Sequence, residues 1–273
     1  MKEAEKLASL LEPVEMVPLN TILTGDFGTL SRNSHAIVVG KGKNRTIVNH
    51  CSENYYLVPN KEIVESMEKA LEGVDYRIEY RVKNRSKFYI DFIVNAATAA
   101  ITKGDVVNLR VTFNNSYDGR VKLHYHYGVY RLVCTNGLAL PAESAVGRKL
   151  MHTPQILDYQ VIEGISDSVQ SLTGDFKKLI KPYQEMAKKK VGITKQEDLV
   201  SHLEELILDT KYPKRALDEA ADRILSEATK LNTPVNNWLI YNGLNFALFS
   251  PDNSTMDEHK KTRIDEHLLE SLS

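Results

Sequence analysis

Cysteine is scarce in this sequence, which has two such residues, Cys51 and Cys134, among 273. Two cysteines are too few for a disulfide framework, and they lack the CxxC spacing of a structural zinc site. The chain also has no excess of charge of either sign, because 35 Lys and Arg face 36 Asp and Glu. We therefore expect a protein of the reducing cytoplasm, in which any binding of nucleic acid depends on local charge.

Long apolar runs are absent as well. Charged residues interrupt the apolar stretches near the N-terminus, and nowhere do about 18 apolar residues follow one another, so we expect neither a signal peptide nor a membrane-spanning helix. Hydrophobic residues make up 42% and charged residues 26% of the chain, which is ordinary globular usage and argues against disorder. This length predicts one large domain or two small ones.

Hydrophobic periodicity divides the chain. From His35 to about Leu140 apolar residues recur at every second position, and from about Ile156 they recur at every third or fourth. This pattern predicts an α+β fold, in which an antiparallel β-sheet of hairpins and a meander packs on one helix and is followed by a C-terminal helical region. We place a sheet-rich α+β domain at residues 1–150 and a helical region, packed on it or extending from it, at 151–273.

Individual elements follow from the same pattern. Apolar runs on either side of residues 40–45 predict a hairpin, and Asn60 is predicted to cap a helix over 61–72. Strands are expected at 76–83, 87–94, 107–113, 121–127 and 128–134. In the second half, a heptad-spaced apolar stripe from Ile165 to Met186 predicts a bundle helix that is kinked at Pro182.

The polar positions of these strands predict a basic outer sheet face. Residues 41–149 contain 17 Lys or Arg against 11 Asp or Glu, and rings alternate with the cations. Cations can follow a phosphate backbone while rings stack on bases, so the pattern is typical of a surface for single-stranded nucleic acid. The predicted contacts are Lys41, Lys43, Arg45, Arg77, Arg81, Lys83, Arg85, Lys87, Tyr89, Arg110, Arg120, Lys122, His124 and His126. The alternative is the polar outer face that any half-exposed sheet needs.

His124 and His126 are also a possible pair of zinc ligands, since they lie on one face of one strand. A third ligand cannot be assigned; His50, Cys134 and His152 are candidates. The sequence contains no GxSxG, HExxH or P-loop motif. We therefore predict no catalytic residue, no metal and no cofactor, and a metal-dependent enzyme that uses the two histidines remains an alternative.

Three stretches carry a resemblance to a known family. They are YYLVPN at 55–60, SYDG at 116–119 and YRLVCTNGL at 130–138. In order and spacing they resemble the phage- and plasmid-related family known as domain of unknown function 932, and residues 237–242 are similar to the end of that family. This resemblance implies an origin in a mobile element and no known reaction. The order of the elements is also similar to that of Redβ- and RecT-type single-strand annealing proteins, which assemble on DNA.

The last of these stretches contains three residues that we expect to be structural. A buried Arg131, with Asn136 at a strand-to-turn transition, can tie the sheet to the C-terminal helices by hydrogen bonds, and the dipeptide that begins at Asn136 favours a turn. Cys134 has Val133 and Thr135 as neighbours. Because neither is a cation or a base that would lower the thiol pKa, Cys134 is not expected to be a nucleophile.

Together these observations predict a phage- or plasmid-type protein of the bacterial cytoplasm. We expect it to bind single-stranded DNA without catalysis, in recombination or replication, and to self-associate through the open edge of the hairpin at 76–94. No membrane partner is expected. The other alternative is an interaction protein that modulates a host factor, which would bind through a surface of low charge.

Overall fold

The computed structural model describes residues 10–19, 34–83, 85–120, 123–132, 136–139, 148–149, 159–250, 256 and 258–273. Its strands are β1 (Val14–Pro18), β2 (His35–Val39), β3 (Thr46–Cys51), β4 (Tyr76–Lys83), β5 (Lys87–Thr102), β6 (Asp105–Ser116), β7 (His124–Arg131), β8 (Asn136–Ala139) and β9 (Arg148–Lys149). Its helices are α1 (Asn60–Ala70), α2 (Tyr159–Leu179), α3 (Lys181–Lys188), α4 (Gln196–Leu206), α5 (Leu217–Lys230), α6 (Asn237–Phe249) and α7 (Glu258–Leu272). The predicted α+β class is confirmed.

The described strands form two sheets. A three-stranded sheet has the order β1-β2-β3 with antiparallel pairing, which confirms the hairpin predicted on either side of residues 40–45. A second sheet has the order β4-β5-β6-β7-β8, with β9 also paired to β7. Among the described helices, none is long and apolar enough to cross a bilayer.

By compactness the chain divides into two units that alternate along the sequence. Unit 1 takes residues up to 93, 111–126 and 147–171, and unit 2 takes 94–110, 127–146 and 172–273. The division at residue 150, with a sheet-rich domain before it and a helical region after it, stays a prediction.

Aromatic residues on alternate strand positions form the core of unit 1. Phe92 lies 6.0 Å from Phe113, and Phe113 stacks on Tyr125 at 5.4 Å, both measured between ring centroids. Helix α1 buries Ile63 and Met67. The two-residue period therefore identified the inner face of the sheet correctly, because side chains along a strand point alternately to opposite faces.

The opposite face of the sheet differs from the prediction, since part of it is buried. Asp91 and Thr112 in unit 1, and Arg110 in unit 2, are less than a tenth exposed. The Thr112 hydroxyl donates a 2.6 Å hydrogen bond to Asp91 Oδ1. Alternation of polar and apolar residues distinguishes the two faces but does not show which of them meets water, because buried polar groups that bond one another are tolerated.

The end of the meander also differs. The strands predicted at 121–127 and 128–134 are one strand, β7, in which Gly128 pairs with Ala139; residues 121–122 and 133–134 lie outside the described part. Asn136 lies in β8 opposite Arg131, not in a turn. The preference of an Asn-Gly dipeptide for turns is overridden here by strand pairing.

Helices form the larger part of unit 2. Helix α6 is buried along most of its length, and it includes Trp238 and Tyr241, whose rings both lie near Tyr183. The predicted kink is a full break at Ile180: α2 ends before it, and α3 begins with Pro182 in its first turn, where the missing amide hydrogen of proline costs nothing.

Candidate nucleic-acid interface

Three loops of unit 1, which together carry five cations, meet at one end of their strands. The Arg85 guanidinium donates to Thr46 Oγ1 at 3.2 Å and to the Asn44 carbonyl at 3.4 Å, which joins the β4–β5 turn to the β2–β3 hairpin. The Tyr117 amide donates to the Ser86 carbonyl at 2.7 Å, which joins the same turn to the loop after β6. We call residues 40–45, 85–86 and 117–120 the loop cluster.

The loop cluster carries an excess of positive charge. Lys41, Lys43 and Arg120 are exposed, while Arg45 and Arg85 keep 45% and 41% of their side-chain surface. Three carboxylates accompany these five cations. Arg45 pairs with Glu15 at 2.5 Å, Arg85 pairs with Glu12, and Asp118 lies within the third loop, where it accepts from the Arg120 amide. The cluster is therefore an anion-attracting surface, and Asp118 together with the adjacent Glu12 and Glu15 reduces its net positive charge.

Arg85 is held firmly in this cluster. Its φ of +53° is in the left-handed region, which is uncommon for residues other than glycine. Bonds from its guanidinium to Glu12, Thr46 and Asn44 offset the cost of that conformation. The conformation places the side chain of Arg85 beside the hairpin tip and leaves part of it accessible to an anion.

A buried network of hydrogen bonds positions the loop at 117–120. The Tyr117 hydroxyl accepts a 2.9 Å hydrogen bond from the Asn60 amide, and Asn115 Nδ2 donates to the Val58 carbonyl and to Asn60 Oδ1, each at 2.9 Å. Asn60 is not the helix cap that the sequence predicted. Pro59 holds the cap position, and the Asn60 side chain instead donates to the Leu10 carbonyl at 3.1 Å. The motifs at 55–60 and 116–119 thus contact each other directly.

Two tyrosines and one cysteine near the cluster are kept neutral. Burial, with the nearby Cys51 and Asp118, raises the pKa of Tyr55 to about 12. Burial also raises the pKa of Tyr117 and that of the Cys51 thiol. Because a thiolate is the reactive form of cysteine, Cys51 is a poor nucleophile here. These groups give the cluster no acid–base chemistry at neutral pH.

The other residues that were predicted to contact nucleic acid differ in their exposure. Arg77 lies on β4 and pairs with Glu79 at 3.5 Å, Lys87 and Tyr89 are half-buried on β5, and Arg110 is buried and so is not available to a polymer. Arg81 and Lys83 belong to β4, but their side chains are not described, and Lys122 lies outside the described residues.

The two histidines of β7 stack on each other. The ring centroids of His124 and His126 lie 6.1 Å apart, and His124 Nε2 is 2.5 Å from Asn114 Nδ2. Within the described ranges no group of three or more His, Cys, Asp or Glu residues is arranged to hold a metal ion. Of the third ligands considered from the sequence, Cys134 and His152 lie outside these ranges.

Purified protein is expected to carry well under one zinc ion per chain, because two imidazoles without a third ligand make a poor site. Elemental analysis checks the metal content. The double variant His124→Ala with His126→Ala should keep the circular dichroism spectrum of the wild type. Stoichiometric zinc that disappears in this variant would contradict the expectation and favour the metalloenzyme alternative.

Arg131 lies in a separate, buried ionic network in unit 2. Its guanidinium donates to both carboxylate oxygens of Asp105, at 2.7 and 2.5 Å, and to Glu227 of α5 at 2.5 Å. Asp105 also accepts a 2.7 Å hydrogen bond from the Trp238 indole, and Glu227 accepts one from Arg223 at 2.5 Å. Arg131, Asp105 and Trp238 are nearly or fully buried, so the network joins strands to helices away from solvent.

The sequence did not identify the carboxylates that pair with arginines in the loop cluster or in the Arg131 network. Glu12 and Glu15 moderate the loop cluster, yet Glu12 stands 73 positions from Arg85 in the sequence. Asp105 and Glu227 neutralise Arg131 from 26 and 96 positions away. A motif search relies on short spacing, and these pairs have none. Cys134 lies outside the described residues, as does the side chain of Asn136.

Comparison with known proteins gives one result. A family model described as a domain of unknown function (DUF932) matches residues 48–265, which confirms the resemblance carried by the three motifs. No curated protein and no solved structure matches the chain.

Proposed function

The chain belongs to the DUF932 family of unknown function, and we propose that it binds single-stranded nucleic acid, most favourably DNA, through the loop cluster of unit 1 and without catalysis. We place this activity in the cytoplasm of a bacterial host, in the recombination or replication of a phage or plasmid. The observation that carries the proposal is the meeting of three loops that carry five cations, with Lys41, Lys43 and Arg120 exposed, at one end of the unit.

The chemistry of the cluster suits a phosphate backbone. Lysine and arginine at an exposed surface contact phosphates and release counterions, and this contribution does not depend on base sequence. Arg85 is paired with Glu12, and Arg45 with Glu15. A phosphate could replace either carboxylate and keep the guanidinium paired, because both anions present oxygen atoms to the same N–H donors. Glu12 and Glu15 would then compete with other anions for the two guanidinium groups and weaken non-specific binding.

The protein is expected to bind a labelled single-stranded oligonucleotide in a strongly salt-dependent manner. Fluorescence anisotropy over a salt series should give a linear fall of log affinity with log salt, with a slope of roughly −0.7 for each phosphate that is neutralised. The triple variant Lys41→Gln, Lys43→Gln, Arg120→Gln should reduce the steepness of that slope by about 2 and weaken binding at low salt by roughly tenfold or more.

A matched variant separates the loop cluster from general charge. Lys177→Gln, Lys181→Gln and Lys230→Gln remove three exposed cations from helices of unit 2. This control should bind like the wild type. Equal weakening in both variants would move the site elsewhere, and no binding by the wild type would end the proposal. Duplex DNA and RNA probes of equal length identify the preferred polymer.

We further propose that the protein anneals complementary single strands. A protein that only binds single strands slows the pairing of two complementary oligonucleotides, whereas an annealing protein accelerates it. We expect acceleration at low salt, measured by the quenching of a dye pair on complementary strands. The triple variant of the loop cluster should lose this acceleration together with its binding.

A further inference from the structure

Strand β4 is the edge of its sheet. Within the described part of the chain, β5 is its only strand neighbour, so one side of its backbone has no strand partner. The inner positions of β4 are only partly covered: Ile78 and Tyr80 are half-buried, and Val82 is 37% exposed. An open strand edge with apolar inner positions favours pairing with another chain unless it is protected.

The sequence of this edge is complementary to itself in the antiparallel direction. The apolar positions of β4 and of the two residues that precede it are Val74, Tyr76, Ile78, Tyr80 and Val82, which read the same from either end with Ile78 at the centre. The intervening positions are Asp75, Arg77, Glu79 and Arg81, whose charges are −, +, − and +. Reading in reverse inverts every sign, so each charge meets its opposite when the strand pairs with its own copy.

We propose that two copies of this chain associate through β4, in an antiparallel pair with Ile78 on the two-fold axis. In this register Arg77 lies opposite Glu79 of the second copy, and Asp75 lies opposite Arg81. On the inner face, Tyr76 lies opposite Tyr80 and Ile78 lies opposite Ile78. Directly opposite residues of an antiparallel pair have Cβ atoms about 4.5–5.5 Å apart, close enough for these pairs to interact.

Neighbouring registers lack this complementarity. Moving the two-fold axis to residue 77 places Arg77 opposite itself, and moving it to residue 79 places Glu79 opposite itself and Arg77 opposite Arg81. A register that pairs odd with even positions would place inner residues opposite outer ones. Only the axis at Ile78 joins the four charges in attractive pairs and keeps both faces intact.

Self-pairing through β4 would place two loop clusters in one dimer, although the inference does not rest on the proposed function. The turn that contains Arg85 follows the C-terminal end of β4, so the two copies carry their loop clusters in opposite directions from the axis. At about 3.3 Å per residue the two Arg85 positions are on the order of 45 Å apart along the strand direction. A dimer would therefore offer two separate sites to one polymer, and its avidity would exceed that of a single site.

Charge exchange tests the register. Sedimentation equilibrium, from micromolar to sub-millimolar concentration, should show that the wild type dimerises. Arg77→Glu and Glu79→Arg, each alone, create two repulsive pairs across the axis and should weaken the dimer by roughly tenfold or more. Each also breaks the Arg77–Glu79 pair within the chain, which lies at 3.5 Å with 37% and 43% of the two side chains exposed. A pair this accessible to water contributes little, so thermal unfolding should change little.

A mixture of the two variants gives the decisive result. In the mixed dimer, Glu at position 77 of one chain faces Arg at 79 of the other, and the second pair is attractive as well. The mixture should therefore recover an affinity within a few-fold of the wild type, although each chain still lacks its internal pair. A wild type that stays monomeric overturns the proposal, as does a mixture that dimerises no better than its components.

Oxidative cross-linking checks the axis itself. In chains with Cys51→Ala and Cys134→Ala, Ile78→Cys should form an intermolecular disulfide, because its two copies face each other at a Cα distance that a disulfide can span. Val82→Cys is the matched control on the same face. Its two copies would be roughly 26 Å apart in this register, so efficient cross-linking at 82 in place of 78 would overturn the proposed register.

Discussion

Replacing Arg131 with methionine is expected to lower the free energy of unfolding by about 3–5 kcal/mol, the range for removal of one partner from a buried ion pair. Arg131 donates to Asp105 and to Glu227, and both carboxylates are buried. Without the guanidinium, Asp105 keeps the hydrogen bond from the Trp238 indole but loses its cationic partner, whereas Glu227 keeps its ion pair with Arg223. The larger loss therefore falls on Asp105. Urea denaturation followed by circular dichroism measures the change.

The same substitution at an exposed arginine is the control. Arg45→Met removes the pair with Glu15, in which both side chains are about half exposed. Exposed pairs contribute about 0–1 kcal/mol, so this variant should unfold close to the wild type. If Arg131→Met cost less than about 1 kcal/mol, the carboxylates of Asp105 and Glu227 would have to find water or protons, and the network would not be structural.

Gly243→Ala is expected to destabilise the protein by about 1–3 kcal/mol, although alanine is the better helix former by about 1 kcal/mol. A Cβ atom at this position of α6 would lie 2.4 Å from Ile224 Cγ1 and 2.9 Å from the Ala220 carbonyl oxygen of α5. The carbonyl belongs to a helix backbone, which cannot move without shifting α5. Thermal unfolding measures the loss.

Gly174→Ala is the matched control, because it lies within α2 and a Cβ atom there would meet nothing within 4 Å. Helix propensity then acts alone, and the variant should be more stable by up to about 1 kcal/mol. Ile224→Ala combined with Gly243→Ala should cost less than the sum of the two single changes, because the truncated side chain removes part of the clash. Additive losses would show that Ile224 is not the obstacle.

Local regularities explain why much of the fold could be predicted. The alternation from Tyr76 to Phe113 identified β4, β5 and β6 and their inner face, because the strand period of two is a property of the backbone itself. Pro182 predicted an interruption of the helix for an equally local reason, since its ring excludes a helical hydrogen bond. A kink was expected there, and the structure has two separate helices. Boundaries were less certain where pairing with a distant strand decides them, as at Gly128.

The candidate site could be predicted only in part. Lys41, Lys43 and Arg120 were named correctly as exposed cations, because charged residues in polar turns remain in water. The burial of Arg110 could not be predicted, since it depends on which elements pack against its face of the sheet. Alternation was therefore a sound guide to orientation along each strand and an unsound guide to contact with solvent.

By itself, the sequence determined the α+β class, the inner face of the sheet, the family motifs and the charges available to a ligand, because each depends on residues that are near one another in the chain. Tertiary structure decided which charges are free to bind. It brought Glu12 to Arg85 and Glu227 to Arg131 across 73 and 96 positions, and it placed the β4–β5 turn beside both the hairpin tip and the loop after β6. Such pairs form only when packing brings distant segments of the chain together. The spacing of residues along the sequence does not show which segments will meet.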